Sequence, residues 1–151
     1  MFRYSTLAGA EDVPARNASE LLDVAQGCAT WDEVTIVADA DEYPRANLSW
    51  HQGHGFVVQC FEDAESRGYF LAESSPFSAP EVDIVLGGQV QERWPRELFV
   101  SPDLAREALD FLLQTGKQRT TLHWVGTSVI PRETVWEGQE GREAWLKKQR
   151  E

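Results

Sequence analysis

FVSPDLAREALDFLLQTGKQRTTLHW, residues 99 to 124, reads as a strand end, a capped helix, a glycine stop and a strand closing on tryptophan. Ser101 fits the helix cap, because its hydroxyl can accept a bond from an otherwise orphaned backbone N–H. Pro102 follows where its missing N–H costs nothing, and Asp103 places negative charge at the positive end of the helix. Leu104, Ala105, Ala108, Leu109, Leu112 and Leu113 recur at helical spacing, which leaves Arg106, Glu107, Asp110 and Gln114 for the wet side. Gly116 can adopt the left-handed conformation that ends a helix, with Lys117 and Arg119 placed to complement its negative end. Thr121 to Val125 then alternates and is rich in β-formers, which predicts a strand.

The unit, with the hundred residues before it, resembles immunity protein family 1 of bacterial polymorphic toxin systems. In that family a helix of the form Ala-x-x-Phe-Leu-x-Thr-Gly feeds a last core strand ending in Trp. The matching residues are Ala108, Phe111, Leu112, Thr115, Gly116 and Trp124. Upstream, Tyr43-Pro44-Arg45-Ala46-Asn47-Leu48, Gly55-Phe56-Val57-Val58-Gln59-Cys60 and Gly87-Gly88 take the places of further strands and turns. The resemblance covers residues 18 to 126, and the tail beyond Gly126 departs from the family's ending. It implies an antitoxin that binds a cognate toxin domain, often a nucleic-acid deaminase, and blocks its active site. Such a protein needs no cofactor and turns nothing over.

The remaining sequence divides into short elements. A helix over Glu20 to Gln26 is expected behind a Ser19 cap, with Gly27 as its stop. Strands are expected at Val34–Val37, Ala46–His51, Phe56–Phe61, Gly68–Glu73, Val82–Leu86 and Val90–Trp94. Gly53-His54-Gly55 and Gly87-Gly88 read as tight turns, and Ser74 to Pro80 as loop. Residues 127 to 136 suit an extended or hairpin segment around Pro131, and Glu140 to Arg150 a terminal helix on which Trp145 packs back. The expected fold is α+β: one domain with a mostly antiparallel sheet of about five to seven strands. One long capped helix packs on it, with short N-terminal and C-terminal helices. Residues 1–126 form the immunity-type unit, and 127–151 an extension packed on the same domain.

The chain has 151 residues, 42% of them apolar and 26% charged, which suits one ordinary globular domain. No apolar run is long enough to cross a bilayer, and MFRYSTLAGA lacks the apolar stretch of a signal peptide. Cytoplasmic residence without membrane contact is the expectation. Cys28 and Cys60 have no paired spacing and read as free thiols.

Charge is distributed unevenly. Residues 1–100 hold 17 acidic and 6 basic side chains, whereas residues 101–151 hold 8 of each. The whole net charge of −11 therefore belongs to the first two thirds, the wrong sign for direct nucleic-acid binding. An acidic face suits either plain solubility or the steering of a basic protein partner. The acidic turns supply the candidate toxin interface: Glu62, Asp63, Glu65, Tyr69 and Glu73 first, then Asp39, Asp41 and Glu42. Six tryptophans add possible anchors. Trp50, Trp94 and Trp124 are expected in the core, while Trp31, Trp136 and Trp145 lie nearer element ends.

Catalytic and metal constellations are thin. His51, His54 and Cys60 fall short of a four-ligand zinc site, and His123 adjoins a core tryptophan. There is no Gly-x-Ser-x-Gly elbow, and Cys60 lies mid-strand in an apolar run. Expected, then, is a monomer when free, not an enzyme, with no metal, no cofactor and no catalytic residue. Its partner is a toxin domain. The alternatives are a small-molecule-binding or enzymatic domain whose pocket joins a histidine to a carboxylate, and a regulatory scaffold that kept the fold without a toxin.

Overall fold

The computed structural model describes residues 1–29, 31–39, 42–86 and 89–150. Ten strands and three α-helices follow in the order β1 (Phe2–Thr6), β2 (Val13–Ala15), α1 (Ala18–Gly27), β3 (Val34–Ala38), β4 (Arg45–His51), β5 (Gly55–Phe61), β6 (Tyr69–Leu71), β7 (Val82–Leu86), β8 (Val90–Trp94), α2 (Pro102–Thr115), β9 (Trp124–Gly126), β10 (Glu133–Glu137) and α3 (Gly138–Arg150). Short 3-10 turns occupy Arg96–Leu98 and Thr127–Val129. The α+β class stands, but the strands make two antiparallel sheets instead of one. The larger has seven strands in the order β2-β1-β3-β4-β5-β6-β9, and the smaller has three, β10-β8-β7.

The two cores lie on either side of the large sheet. On one face, Leu21, Leu22 and Ala25 of α1 and Ala105, Ala108, Leu109 and Leu112 of α2 close over Ile36, Leu48, Phe56, Val58 and Cys60. Full burial of each of the larger aliphatic side chains is worth about 1.5–3 kcal/mol relative to leaving it wet. The two helices are also joined where the backbone N–H of Ala18 donates to the Asp110 carboxylate at 3.2 Å. On the other face, Val57 and Phe70 meet Val82, Ile84 and Trp94 of the small sheet. Phe70 and Trp94 make the edge-to-face contact between sheets, with ring centroids 5.1 Å apart. This double cover explains why Phe56-Val57-Val58 is continuously apolar: alternate side chains enter different cores.

α2 begins and ends as its sequence dictates. The Ser101 hydroxyl accepts from the Leu104 N–H at 3.2 Å, and Gly116 turns left-handed at φ 72°. Thr115 donates its hydroxyl back to the Phe111 carbonyl, and the Trp124 indole donates to the Arg119 carbonyl at 2.9 Å. Phe111, Thr115, Gly116 and Trp124 thus hold the end of α2 and the loop that follows it.

Other expectations need correction. Asn17, not Ser19, caps α1, its side chain accepting from Glu20 N–H, and Gly27 is the last helical residue instead of a stop beyond it. Strands β1 and β2 were not foreseen at all. The strand expected at Thr121–Val125 is confined to Trp124–Gly126, because residues 117–123 run as an irregular loop above the sheet. Arg119 folds back along α2, pairing with Glu107 at 3.0 Å and lying 5.8 Å from the centroid of the Phe111 ring. Residues 127–136 form no hairpin of their own, since β10 pairs with β8. The C-terminal helix is not short: α3 has 13 residues against 14 in α2. It buries no side chain fully, so Trp145 is only half-covered, whereas Trp136 is buried and donates its indole N–H to Gln91. Trp94 is buried against the small sheet's core, while Trp50 and Trp124 are partly buried against the helix-side core. The Gly87-Gly88 turn lies outside the described residues.

Among the described glycines, Gly55 at the start of β5 is the most tightly enclosed. Phe56 and Val100 exchange two backbone hydrogen bonds, at 2.9 and 2.7 Å. Gly55, at φ 134°, sits so close that a Cβ there would lie 2.6 Å from the Val100 carbonyl oxygen. Gly55→Ala is therefore expected to destabilise the fold by roughly 2 kcal/mol or more, combining backbone strain with a clash against main chain. Gly53, also left-handed but with open space around it, is the control: its alanine variant bears strain alone and should lose about 1 kcal/mol. Urea unfolding of the two variants measures the difference.

Candidate functional site

The strand order brings both acidic turns to one end of the large sheet. β3 runs toward Asp39, β4 returns from Arg45, and β5 runs toward Glu62, with Arg45 opposite both Val37 and Phe61. Asp39 and residues 42–44 are therefore neighbours in space of residues 62–67. Glu42, Glu62, Asp63 and Glu65 are exposed there. Asp39 is partly neutralised by Arg3 at 3.0 Å, and Asp41 lies outside the described residues. Asp63 also has a local duty, since its carboxylate accepts from the Glu65 and Ser66 N–H groups, both at 2.9 Å. Arg45 lies over the Tyr43 ring, 5.2 Å from its centroid.

Tyr69 belongs to this end, and Glu73 does not. Tyr69 pairs with Cys60 near the end of β5 and is 41% exposed, one of the few large rings left to water. Glu73 lies beyond the other end of β6, where its carboxylate accepts from the Ser101 N–H at 2.8 Å beside the start of α2. Only three residues separate them in sequence, but the short strand carries Glu73 away from the acidic turns.

Between these turns and the end of α2 the helix layer stops while the sheet continues. α2 finishes at Thr115, and β6 and β9 are roofed on this face by the loop from Gly116 to His123. The step leaves a cavity of about 660 Å³. Its floor and walls include Pro44, Cys60, Phe61, Tyr69, Leu112, Leu122 and Trp124, and its polar wall Glu62, Lys117, Gln118, Thr120 and His123. The size suits a bound ligand or a partner's anchoring side chain, and the lining is apolar with few polar groups. The Gln118 side-chain nitrogen is buried and has no hydrogen-bond partner among the described residues. An unpaired buried donor costs about 1–3 kcal/mol. Sequence reasoning missed Lys117 and Gln118 as site residues, since both follow a helix stop where polar residues are routine.

A second patch occupies the opposite end of the sheet. Leu7 and Trp31 are exposed there, at 67% and 42%. Asp32, itself buried, organises the patch by accepting from the Leu7 and Ala8 N–H groups at 2.8 and 3.1 Å. Burial and the Asp32 charge push the neighbouring Glu33 carboxyl upward. Leu7 carried no signal in the sequence, being an isolated apolar residue in a loop. No family model matches the sequence, and no curated protein matches it.

The histidines and cysteines are dispersed. His51 and His54 flank Phe99 at one end of β5, while Cys60 lies near the other end. Among the described residues no three His, Cys, Asp or Glu side chains are placed to hold a metal ion. Burial pushes the Cys60 thiol up to about 12, far from a reactive thiolate. Ser49 Oγ and His51 Nε2 lie 2.9 Å apart, the spacing of a nucleophile and its base. His51 is buried edge-on against Phe99, however, and burial followed by the nearby His54 charge lowers its pKa to about 4. So low a value makes a weak base at neutral pH.

His51 instead supplies an acid-sensitive element of stability. Its folded pKa lies below the ordinary value of 6.5, so the unfolded chain takes up the proton first on acidification. Its contribution is therefore full above pH 6.5 and is lost as pH falls toward 4. The shift corresponds to up to about 3 kcal/mol. His51→Gln, which can keep a bond to Ser49, should lose less stability than the parent between pH 7 and pH 4. Urea titrations at the two pH values read this directly, and equal losses would remove His51 as the cause.

Proposed function

We propose that this protein is an immunity protein, which binds a cognate polymorphic toxin and blocks its active site. The toxin is a nucleic-acid-targeting enzyme, with a deaminase as the first expectation. The motif order from Tyr43 to Trp124 supports this reading. The observation that carries it is the meeting, at one end of the sheet, of two acidic turns, the exposed ring of Tyr69 and an apolar cavity. A toxin that holds a polyanion needs a positive groove. An acidic end can enter that groove in place of nucleic acid, steered by charge and held by desolvated aromatic contact. The protein acts by occupancy, as a stoichiometric inhibitor with the toxin as its partner.

The cavity also favours a second reading. His123 and Glu62 both line it, the pairing that a small-molecule-binding domain would use. The two readings separate in the cell. Co-expression with the toxin encoded beside this chain should restore growth if the protein is an antidote, and should do nothing if it is a small-molecule receptor.

Steering is tested by Glu62→Lys with Glu65→Lys, which spares the turn-forming carboxylate of Asp63. At low salt the double variant should associate with that toxin about tenfold more slowly, with a smaller change in dissociation. Stopped-flow fluorescence gives both rates. Trp31→Ala, at the far end of the sheet, should leave them unchanged; a large loss there would move the interface to the Leu7 and Trp31 patch.

A further inference from the structure

The cavity at the end of α2 has walls of opposite character. On the strand side Glu62 opens a turn that exposes three carboxylates, Glu62, Asp63 and Glu65, against the single guanidinium of Arg67. On the loop side stand the exposed ammonium of Lys117 and the amide of Gln118, whose nitrogen has no partner among the described residues. Between them the floor is apolar, formed by Leu112, Leu122 and Trp124 with Tyr69 at the edge. A free cation would find no use for this floor, and a simple hydrocarbon would leave the Gln118 donor unpaired. The complement is a flat apolar group with a positive charge on one side and a hydrogen-bond acceptor on the other.

We propose that this cavity seats an aromatic side chain from a basic segment of the partner protein. The residue beside that aromatic, an arginine or lysine, lies against the Glu62 turn, and a backbone carbonyl of the segment accepts from Gln118. The Gln118 nitrogen is buried in the free chain, so meeting that carbonyl requires the amide to turn about its terminal torsion, whose minimum is broad. The proposal rests on the reading of this end of the sheet as a protein-binding face. It adds the chemistry of the anchor, which acidic steering alone does not specify.

The test uses the full chain and three capped peptides as probes: N-acetyl-Arg-Trp-Arg amide, N-acetyl-Arg-Ala-Arg amide and N-acetyl-Glu-Trp-Glu amide. In proton–nitrogen correlation spectra the first should shift the Gln118 side-chain amide and residues 117–124 saturably. The alanine and glutamate peptides should each bind at least about tenfold more weakly. Thr120→Trp, which places a ring into the cavity from an exposed position, should abolish the shifts while the rest of the spectrum stays in place. Gln118→Ala should weaken binding about threefold to tenfold, and serves if the tryptophan variant does not fold. Equal binding of the alanine peptide, or undiminished binding by both variants, overturns the proposal. So does equally tight binding of N-acetyltryptophan amide, which would mark a small-molecule site. If the toxin encoded beside the chain binds the parent and the Thr120→Trp variant equally, the anchor is wrong while the antidote reading stands. If the basic peptide binds as expected but that toxin does not, the cavity's chemistry stands and the toxin reading falls.

Discussion

The close approach of β5 to the segment entering α2 governs the rest of the molecule. Phe56 and Val100 join main chain to main chain, and only a glycine at 55 leaves room for the Val100 carbonyl. That junction sets where α2 starts, since Ser101 follows at once and caps the helix. It also fixes the strand that both cores share: Phe56, Val58 and Cys60 enter the helix-side core while Val57 enters the core under the small sheet. A one-residue slip in β5 would exchange these sets and break both cores together. One strand therefore sets the register for the three layers.

The site follows from the same constraint. With its start held at Val100, α2 runs across the sheet face and ends beside Pro44 at the entry to β4, on the side of β5 away from β6. The sheet extends further than its cover, and the loop after Gly116 bridges the gap imperfectly. The cavity thus lies where the helix cover gives out, and much of its polar wall is what the bridging loop supplies. The antiparallel order β3-β4-β5 adds the acidic turns at the same end. Helix placement and strand direction together put an apolar hollow beside a negative rim.

Local chemistry made part of this visible in the sequence. The limits of α2 were readable because Ser101, Pro102 and Gly116 act within a few residues of themselves. The β4–β5 and β7–β8 hairpins were readable for the same reason. What escaped depends on distant partners. β1 and β2 carry weak patterns, and β1 gains its place by pairing with β3 about thirty residues later. The partition into two sheets is decided by which face Phe70 and Trp94 share, which no local window contains. The acidic turns were recognisable as charge, but their proximity required the strand order. Glu73 looked like part of the group only because it is near Tyr69 in sequence. Gln118 gave no signal because an orphaned amide is defined by its surroundings.

The placement of the titratable groups bears on how such a site works. Cys60 and His51 are buried in surroundings that disfavour their charged forms. The exposed carboxylates stand instead on turns, open to water. On the proposed reading that placement serves recognition, because a steering charge must be accessible to an approaching partner. Charge on turns acts over a Debye length of about 8 Å at physiological salt, whereas the cavity acts only on contact. On the proposed reading the two features would govern different stages of one encounter, the turns setting how often a basic partner arrives and the hollow how long it stays.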